Sequence, residues 1–338
     1  MDFTFGVLTY NSEETIIETM ESIKFQILNY GDGLDVFLVI ADDFSRDRTI
    51  KVIKSWLDKN EKLFMKITIL EAKENLGVCR NYSKMIREIK TKDFLQIAGD
   101  DVISSQNIFT KIHDVKENEL KVFMQYDLLD GSLKVEDYYI ARQLYYNKKK
   151  HNNRIDKQLL ETFPPYRSIE IVFQRHHYTE DCMNYIEQYK NFEDDTSLYY
   201  IFMHNTDVHF TFSMEPLILY RRSHVALTQS VDNVAQIKFL DDLYKFRKET
   251  FKNEKNVIIK LILLLSLFHS FLHVHRFDAR NSIFKKLVIR NQNKILRKMS
   301  KNPEYLSLRK DCMDFIMSEN TYLNHIKEQA TLFMNEIL

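Results

Sequence analysis

Four short apolar runs, each followed or preceded by a segment of helical spacing, constrain this chain more than any other feature. They are residues 3–8, 35–40, 66–70 and 94–97. Between them apolar residues recur at helical intervals, at Ile16, Ile17, Met20 and Ile23, then Ile50, Val52, Ile53, Trp56 and Leu57, then Met85, Ile86 and Ile89. Strands that alternate with helices predict an α/β fold, a doubly wound and mostly parallel sheet. The near-continuous run Val36-Phe37-Leu38-Val39-Ile40 is the pattern of a strand covered on both faces. In such a sheet the strands bring their carboxyl ends to one edge, and ligands bind beyond that edge.

Polar residues collect at those ends. The first strand runs into Thr9-Tyr10-Asn11-Ser12-Glu13-Glu14, where Asn11 or Ser12 is expected to cap the following helix. The second ends in Ala41-Asp42-Asp43-Phe44-Ser45. The third leads to Asn75-Leu76-Gly77-Val78-Cys79-Arg80-Asn81, and the fourth stops at Gly99-Asp100-Asp101. Two adjacent carboxylates on a glycine turn suit a hard divalent cation that also holds phosphate oxygens. A solvated turn would use the same residue types.

Taken in order, Thr9-Tyr10-Asn11, Asp42-Asp43-x-Ser45, Asn75-x-Gly77 with Arg80-Asn81, and Gly99-Asp100-Asp101 resemble glycosyltransferase family 2. These are inverting enzymes of the GT-A fold that use nucleotide sugars. The resemblance covers roughly residues 3–225 and implies a role for each motif. Thr9 and Asn11 would lie beside the nucleotide base, and Asp42 or Asp43 would accept from its ring N–H. Asn75 belongs to the donor site, and Arg80 would face the pyrophosphate. Asp100 would bind the ribose hydroxyls or join Asp101, which would ligate Mn²⁺ or Mg²⁺. The family often carries Asp-x-Asp-Asp at this turn. Here Ala98 stands at the first acidic position and the last two carboxylates remain.

The middle of the chain is less regular. Residues 122–126 are expected to form one strand behind the site. The stretch 143–154, with Tyr145, Tyr146, Lys148, Lys149, Lys150 and His151, reads as a lid, an acceptor surface or a solvated basic loop. Pro164-Pro165 marks a break, and residues 166–173 are expected to return to the sheet. Glu193-Asp194-Asp195 precedes an apolar helical run. In family 2 an acidic pair at this point supplies the catalytic base. A carboxylate within hydrogen-bond reach of an acceptor hydroxyl can take its proton as the oxygen attacks. The same carboxylates would also favour a helix N-terminus electrostatically. Asp194 matches the second acid of the pair, Asp195 matches it with a slip of one residue, and Glu180-Asp181 is a rival thirteen residues earlier. Leu219-Tyr220-Arg221-Arg222-Ser223-His224 resembles the family's strand with Tyr-Arg followed by His or Ser. Arg221, Arg222 and His224 would reach the diphosphate or the metal.

The totals narrow the alternatives. The formal net charge is zero, so nothing global points to nucleic acid. Cys79, Cys182 and Cys312 form neither a disulfide framework nor a zinc pattern, which favours a reduced, cytoplasmic compartment. The first strand leaves no room for a signal peptide, and no apolar run reaches the length of a membrane span. All six glycines fall at or before Gly131, so the remainder is expected to be helical.

These features divide the chain into a nucleotide-sugar-binding catalytic domain, 1–230, and a helical C-terminal domain, 231–338. From Asp232 onward there are 19 Lys and Arg against 12 Asp and Glu, a net +7 that the preceding residues balance. Residues 257–272 are apolar nearly all round, the pattern of a buried helix. The basic segment 276–301 follows. The tail fits a bundle packed on the catalytic domain or on another copy, and it fits contact with an anionic membrane surface at the inner face of the cell membrane.

The expected partners are a nucleotide sugar, UDP-linked by default, and a hydroxyl of a growing glycan, with bacterial surface polysaccharide as the setting the resemblance implies. A non-catalytic glycan-binding or scaffold protein on the same fold is the alternative. A nucleotidyltransferase is disfavoured because Thr9-Tyr10-Asn11-Ser12 is not a glycine-rich phosphate loop. A P-loop nucleotidase is disfavoured because no Walker pattern occurs.

Overall fold

The computed structural model describes residues 2–148, 170–172, 174–191, 194–205, 207–222, 234–274 and 282–337. Side chains of residues 194, 195, 202, 234–238 and 273 are outside that description. The first four strands are β1 (Asp2–Thr9), β2 (Asp35–Asp42), β3 (Lys66–Glu71) and β4 (Asp93–Ala98). They pair in parallel in the order β3-β2-β1-β4, joined by helices α1 (Ile16–Tyr30), α2 (Thr49–Asn60) and α3 (Val78–Glu88). This is the doubly wound sheet that the alternation predicts. The chain steps outward from β1 to β3, then returns to lay β4 on the other side of β1. The strand order therefore reverses between β1 and β4, where an open α/β sheet places its ligand crevice. The register aligns Thr9 with Asp42 and Leu8 with Ala98, so the polar strand ends share one edge.

Period-two patterning sorts the strand residues onto two faces. Phe3, Phe5 and Val7 of β1 and Val36, Leu38 and Ile40 of β2 pack with Ile16, Met20 and Ile23 of α1 and Val52, Ile53 and Trp56 of α2. Val39 and Ala41 face the other way, onto Cys79, Tyr82, Met85 and Ile86 of α3. Gly6 permits that approach, because a Cβ there would lie 2.9 Å from the Met85 sulfur.

Smaller sheets complete the domain. Strand β5 (Val102–Ile103) and helix α4 (Ile108–His113) precede β6 (Glu119–Val122), β7 (Tyr126–Leu129) and β8 (Ser132–Lys134). Helix α5 (Asp137–Lys148), β9 (Ile171–Val172), α6 (Glu180–Ile186), α7 (Asp194–His204), β10 (His209–Phe212) and β11 (Ile218–Arg221) follow. One sheet runs β10-β6-β9 and another β5-β11-β7-β8. The single strand expected over 122–126 is thus two strands in two sheets. The crossover has a cause: the Phe123 N–H donates to the Glu170 carbonyl and the Met124 N–H to the Glu215 carbonyl, so the backbone changes partners within three residues. The return expected over 166–173 is seen in β9, which pairs with β6. Residues 149–169 and 173 of the expected lid and return lie outside the described residues.

The described tail is helical: α8 (Val234–Asn253), α9 (Val257–Val274), α10 (Ile283–Met299) and α11 (Pro303–Ile337). It shares cores with the sheets. Ala330 and Phe333 of α11 join the cluster around Phe3 and Phe5. Ile295, Met299, Tyr305, Leu323 and Ile326 pack with Val102, Tyr126 and Leu128. Helix α9 departs from expectation. It packs on α8 and α10 along Ile259, Leu263, Ser266 and Ser270, while Val257, Ile258, Leu261, Leu264, Phe268 and Phe271 stay exposed. An all-round apolar sequence predicts burial on every side, but among the described residues this helix has packing neighbours on one side only.

Candidate donor-binding site

The turn Gly99-Asp100-Asp101 sits at the switch point, held from three directions. Its glycine is required by close approach: a Cβ at Gly99 would meet Ile16 Cδ1 at 3.0 Å and Thr9 Oγ1 at 3.1 Å. The Gly99 N–H donates to the Leu8 carbonyl at 2.7 Å, continuing the β1–β4 ladder one residue past the strand.

Helix α1 supplies the second support. The Thr15 hydroxyl donates to the Gly99 carbonyl at 3.0 Å, and the Thr19 hydroxyl to the Asp101 carbonyl at 2.7 Å. Ser22 Oγ accepts from the Ile103 N–H, and the Gln26 amide donates to the Ser104 and Gln106 carbonyls. Thr15, Thr19, Ser22 and Gln26 recur every three or four residues, so one polar row runs down a helix that otherwise faces the core. That row was visible in the sequence as polar residues in step with the apolar ones, but nothing local says what it faces.

The third support is Arg221 at the end of β11. Its backbone N–H donates to Asp101 Oδ1 at 2.8 Å, its Nε to the Asp100 carbonyl at 2.6 Å, and its Nη2 to Glu18 Oε2 at 2.5 Å. Burial pushes the Asp100 carboxyl above its ordinary value, and the Arg221 guanidinium opposes that rise. Asp101 is buried and Asp100 half-buried.

The other strand ends are tied to their own loops. Asn11 adopts φ +50°, its N–H donates to Ser45 Oγ at 2.8 Å, and its Oδ1 accepts from the Arg46 N–H at 2.8 Å. It joins the β1 and β2 loops and does not cap α1. Ser12 does not cap it by its side chain either: its Oγ donates to the Tyr10 carbonyl, while Thr15 stands at the helix start. Asp42 accepts from the Ser45 N–H and hydroxyl. Asp43 accepts from the Leu76 N–H at 2.7 Å and the Gly77 N–H at 2.9 Å, fixing the loop that carries Asn75. Burial raises the Asp43 carboxyl, and those two N–H groups and the Lys190 ammonium pull it back. Gly77 has φ +87°, and a Cβ there would strike the Lys190 carbonyl at 2.5 Å. Thr9 is buried, with its Oγ1 beside Gly99.

The expected donor residues therefore separate into groups. Thr9, Asp100, Asp101 and Arg221 converge on one turn, with Asn11, Asp42 and Asp43 on the neighbouring loops. Asn75 and Arg80 are exposed at the start of α3. Arg222 turns away: its guanidinium meets Asp127 at 2.7 Å, the Tyr139 hydroxyl at 2.9 Å and Glu136 at 3.4 Å. Asp194 and Asp195 open α7, but their side chains, with Glu193 and His224, lie outside the described residues. The rival Glu180 pairs with Arg87 of α3 at 3.2 Å. Sequence reasoning missed Asp242 of α8, whose Oδ2 accepts from the Lys190 N–H at 2.9 Å and the Asn191 N–H at 2.6 Å. It anchors the loop leading into the acidic segment from more than fifty residues away, a link with no local signal.

Among the described residues, no group of three or more His, Cys, Asp and Glu could hold a metal by itself. The donor set is two adjacent carboxylates on one turn. Magnesium-like ions bind in that way, through one or two carboxylates with substrate phosphates and water completing the shell. A partly desolvated Asp100 also gains from a nearby dication. The residues present fit such an ion.

Comparison with known proteins agrees with this geometry. No curated protein sequence matches the chain. The chain is similar in structure to S. aureus TarS 1–349 in complex with UDP-GlcNAc, at 13% identity and a TM-score of 0.57, over 97% of this chain and 92% of that one. The same fragment in complex with UDP gives 13% identity and a TM-score of 0.53 over the same shares. Against a longer TarS chain the identity is 15% and the TM-score 0.52, over 80% of this chain but only 44% of that one. Residues 4–171, about half of the chain, match the sequence model of Glycosyl transferase family 2. With the parallel sheet, the acidic turn at its switch point and this match, the chain belongs to glycosyltransferase family 2 and is a nucleotide-sugar glycosyltransferase of GT-A fold.

Proposed function

We propose that the chain transfers a sugar from a UDP-linked donor to a hydroxyl of a glycan acceptor, with inversion at the anomeric carbon. The observation that carries this reading is the acidic turn Gly99-Asp100-Asp101, locked at the β1–β4 switch point by α1 and Arg221. TarS, which is seen with UDP-GlcNAc and with UDP on a similar fold, supports UDP as the first donor to test. The family resemblance supports a bacterial surface polysaccharide as the acceptor's setting and the cytoplasm as the location.

In this reading Thr9, Asn11, Asp42 and Asp43 form the base-binding side. Asn75 and Arg80 approach the diphosphate from the start of α3, and Arg221 is the further cation of the donor side, while Arg222 is held away from it by Asp127, Tyr139 and Glu136. Asp100 holds the ribose. Asp101, with Asp100 or His224, would hold Mn²⁺ or Mg²⁺, which when bound supplies charge neutralisation of the diphosphate. Asp194 or Asp195, at the opening of α7, takes the proton from the acceptor hydroxyl, with Glu193 beside them. The acceptor oxygen forms its bond to the anomeric carbon as the bond to the donor phosphate breaks. The nucleoside diphosphate leaves with that electron pair. One displacement gives inversion. Residues 1–230 carry this chemistry and 231–338 form a helical extension that braces it.

The test is thermal shift with nucleotides and nucleotide sugars, each with and without Mn²⁺, followed by transfer assays on the responding donor. A ligand that binds only the folded state raises the melting temperature. A Mn²⁺-dependent rise with UDP-sugars is expected, and Asp194→Asn or Asp195→Asn should keep that rise and lose transfer. A rise with other nucleotides alone would overturn the UDP assignment. Wild-type binding without turnover on any glycan would favour a glycan-binding or scaffold role.

A further inference from the structure

One face of α9, covered by no other element among the described residues, carries an inference beyond sugar transfer. Val257, Leu261, Leu264 and Phe268 are spaced by three or four residues, so they form one stripe along the helix. Its ends lie about 17 Å apart at 1.5 Å per residue. Val257 and Ile258 are 72% and 71% exposed, and Leu261 and Phe268 exceed one half. A contiguous exposed apolar stripe of this kind marks an interaction site. The opposite face is accounted for: Ile259 and Leu263 are buried, and Arg247 of α8 donates to the Ser266 carbonyl and to Ser270 Oγ.

The neighbouring helix supplies charge of one sign. Helix α10 contacts α9, with Ser282 at its start bonded to His269. It buries Phe284, Ile295 and Met299 and turns a basic side outward. On that side Lys286, Ile289, Arg290, Asn293, Lys294 and Arg297 line a groove of about 540 Å³. Neither 257–274 nor 283–299 contains an Asp or Glu. Two copies meeting on these helices would bring two cationic surfaces together with no acid on either to pair them. An anionic lipid surface meets both demands, taking the apolar stripe into its acyl boundary and the lysines and arginines at its headgroups. No described helix is long and apolar enough to cross a membrane, so the contact would lie in the interface plane.

We infer that α9 and α10 form a peripheral docking surface for an anionic lipid bilayer, holding the transferase at a membrane. The inference is independent of donor and acceptor identity, because its readout is lipid binding without sugar transfer.

The experiment is flotation of the full chain with phosphatidylcholine vesicles and with vesicles containing about one third phosphatidylglycerol, at low and high salt. Binding is expected only to the anionic vesicles and should weaken with salt. Each basic residue near such a surface is worth about fivefold in affinity. Reversal of three charges, Lys286→Glu with Arg290→Glu and Lys294→Glu, should therefore weaken binding at least about 100-fold. Leu261→Gln with Phe268→Gln should also release the protein. Both sets change exposed side chains, and an unchanged melting temperature confirms that they fold. Absence of wild-type binding to anionic vesicles overturns the inference. So does a concentration-dependent dimer that Leu261→Gln with Phe268→Gln makes monomeric, since the stripe would then be a surface for a second copy.

Discussion

Replacement of Arg221 by methionine tests the clamp on the acidic turn. The change keeps the backbone N–H that Asp101 accepts, and much of the side-chain volume. It removes the Nε bond to the Asp100 carbonyl and the Nη2 bond to Glu18. Both partners of the ion pair are only 16% exposed, so solvent replaces little of what is lost. A hydrogen bond to a charged group contributes about 1.5–3 kcal/mol, and one to a neutral carbonyl about 1 kcal/mol. The expected loss, after some relaxation, is about 2–4 kcal/mol. At about 2.1 cal/mol/K of unfolding entropy per residue, a cooperative chain of this length moves roughly 1.4 °C per kcal/mol. The melting temperature should fall by about 3–6 °C in scanning fluorimetry. If about 1.4 kcal/mol of turn ordering must then be supplied on ligand binding, UDP affinity with Mn²⁺ falls about tenfold in titration calorimetry. Glu18→Gln completes a double-mutant cycle, in which a coupling of about 1 kcal/mol or more is expected between the two positions. A melting temperature within 1 °C of wild type, or a coupling near zero, would refute the clamp.

Other perturbations separate charge from scaffold. Asp101→Asn keeps an acceptor for the Arg221 N–H, so the fold should survive with a change of about 1 kcal/mol or less, while Mn²⁺-dependent nucleotide binding in calorimetry is lost. Thr19→Val leaves the Asp101 carbonyl without its donor in a buried setting and should cost about 1–3 kcal/mol in denaturant unfolding. Glu319 of α11 accepts from the Ser105 N–H and hydroxyl, yet burial holds its carboxyl above the ordinary value. A raised carboxyl binds its proton more tightly when folded, so its contribution to stability falls as pH rises from the unfolded value through the folded one. The melting-temperature difference between wild type and Glu319→Gln should therefore be more favourable to wild type at pH 4.5 than at pH 7; a pH-independent difference would remove Glu319 as the source.

Much of the fold could be read locally because it rests on period. Residues 3–8, 35–40, 66–70 and 94–97 carry strand patterning, the segments between them carry helical spacing, and parallel strands joined by helices must end on one edge. That periodicity alone places Thr9, Asp42, Asp43 and the Asp100–Asp101 turn together at one sheet edge. What the pattern could not contain was anything set by contacts distant in sequence. The polar row of α1, the Arg221–Glu18 pair and the Asp242 anchor join residues far apart in the chain, and a hydrogen-bond partner is not encoded by a residue's neighbours. Burial is decided in the same way. The strand patterning around 122–126 does not show that the backbone changes sheets there, because the partners are Glu170 and Glu215. The apolar run 257–272 fixes a helix, but whether each face is covered depends on how many elements reach it. Tertiary packing brings α8 and α10 to one side of that helix and, among the described residues, leaves the other uncovered, and that asymmetry turns an apparent core helix into a surface.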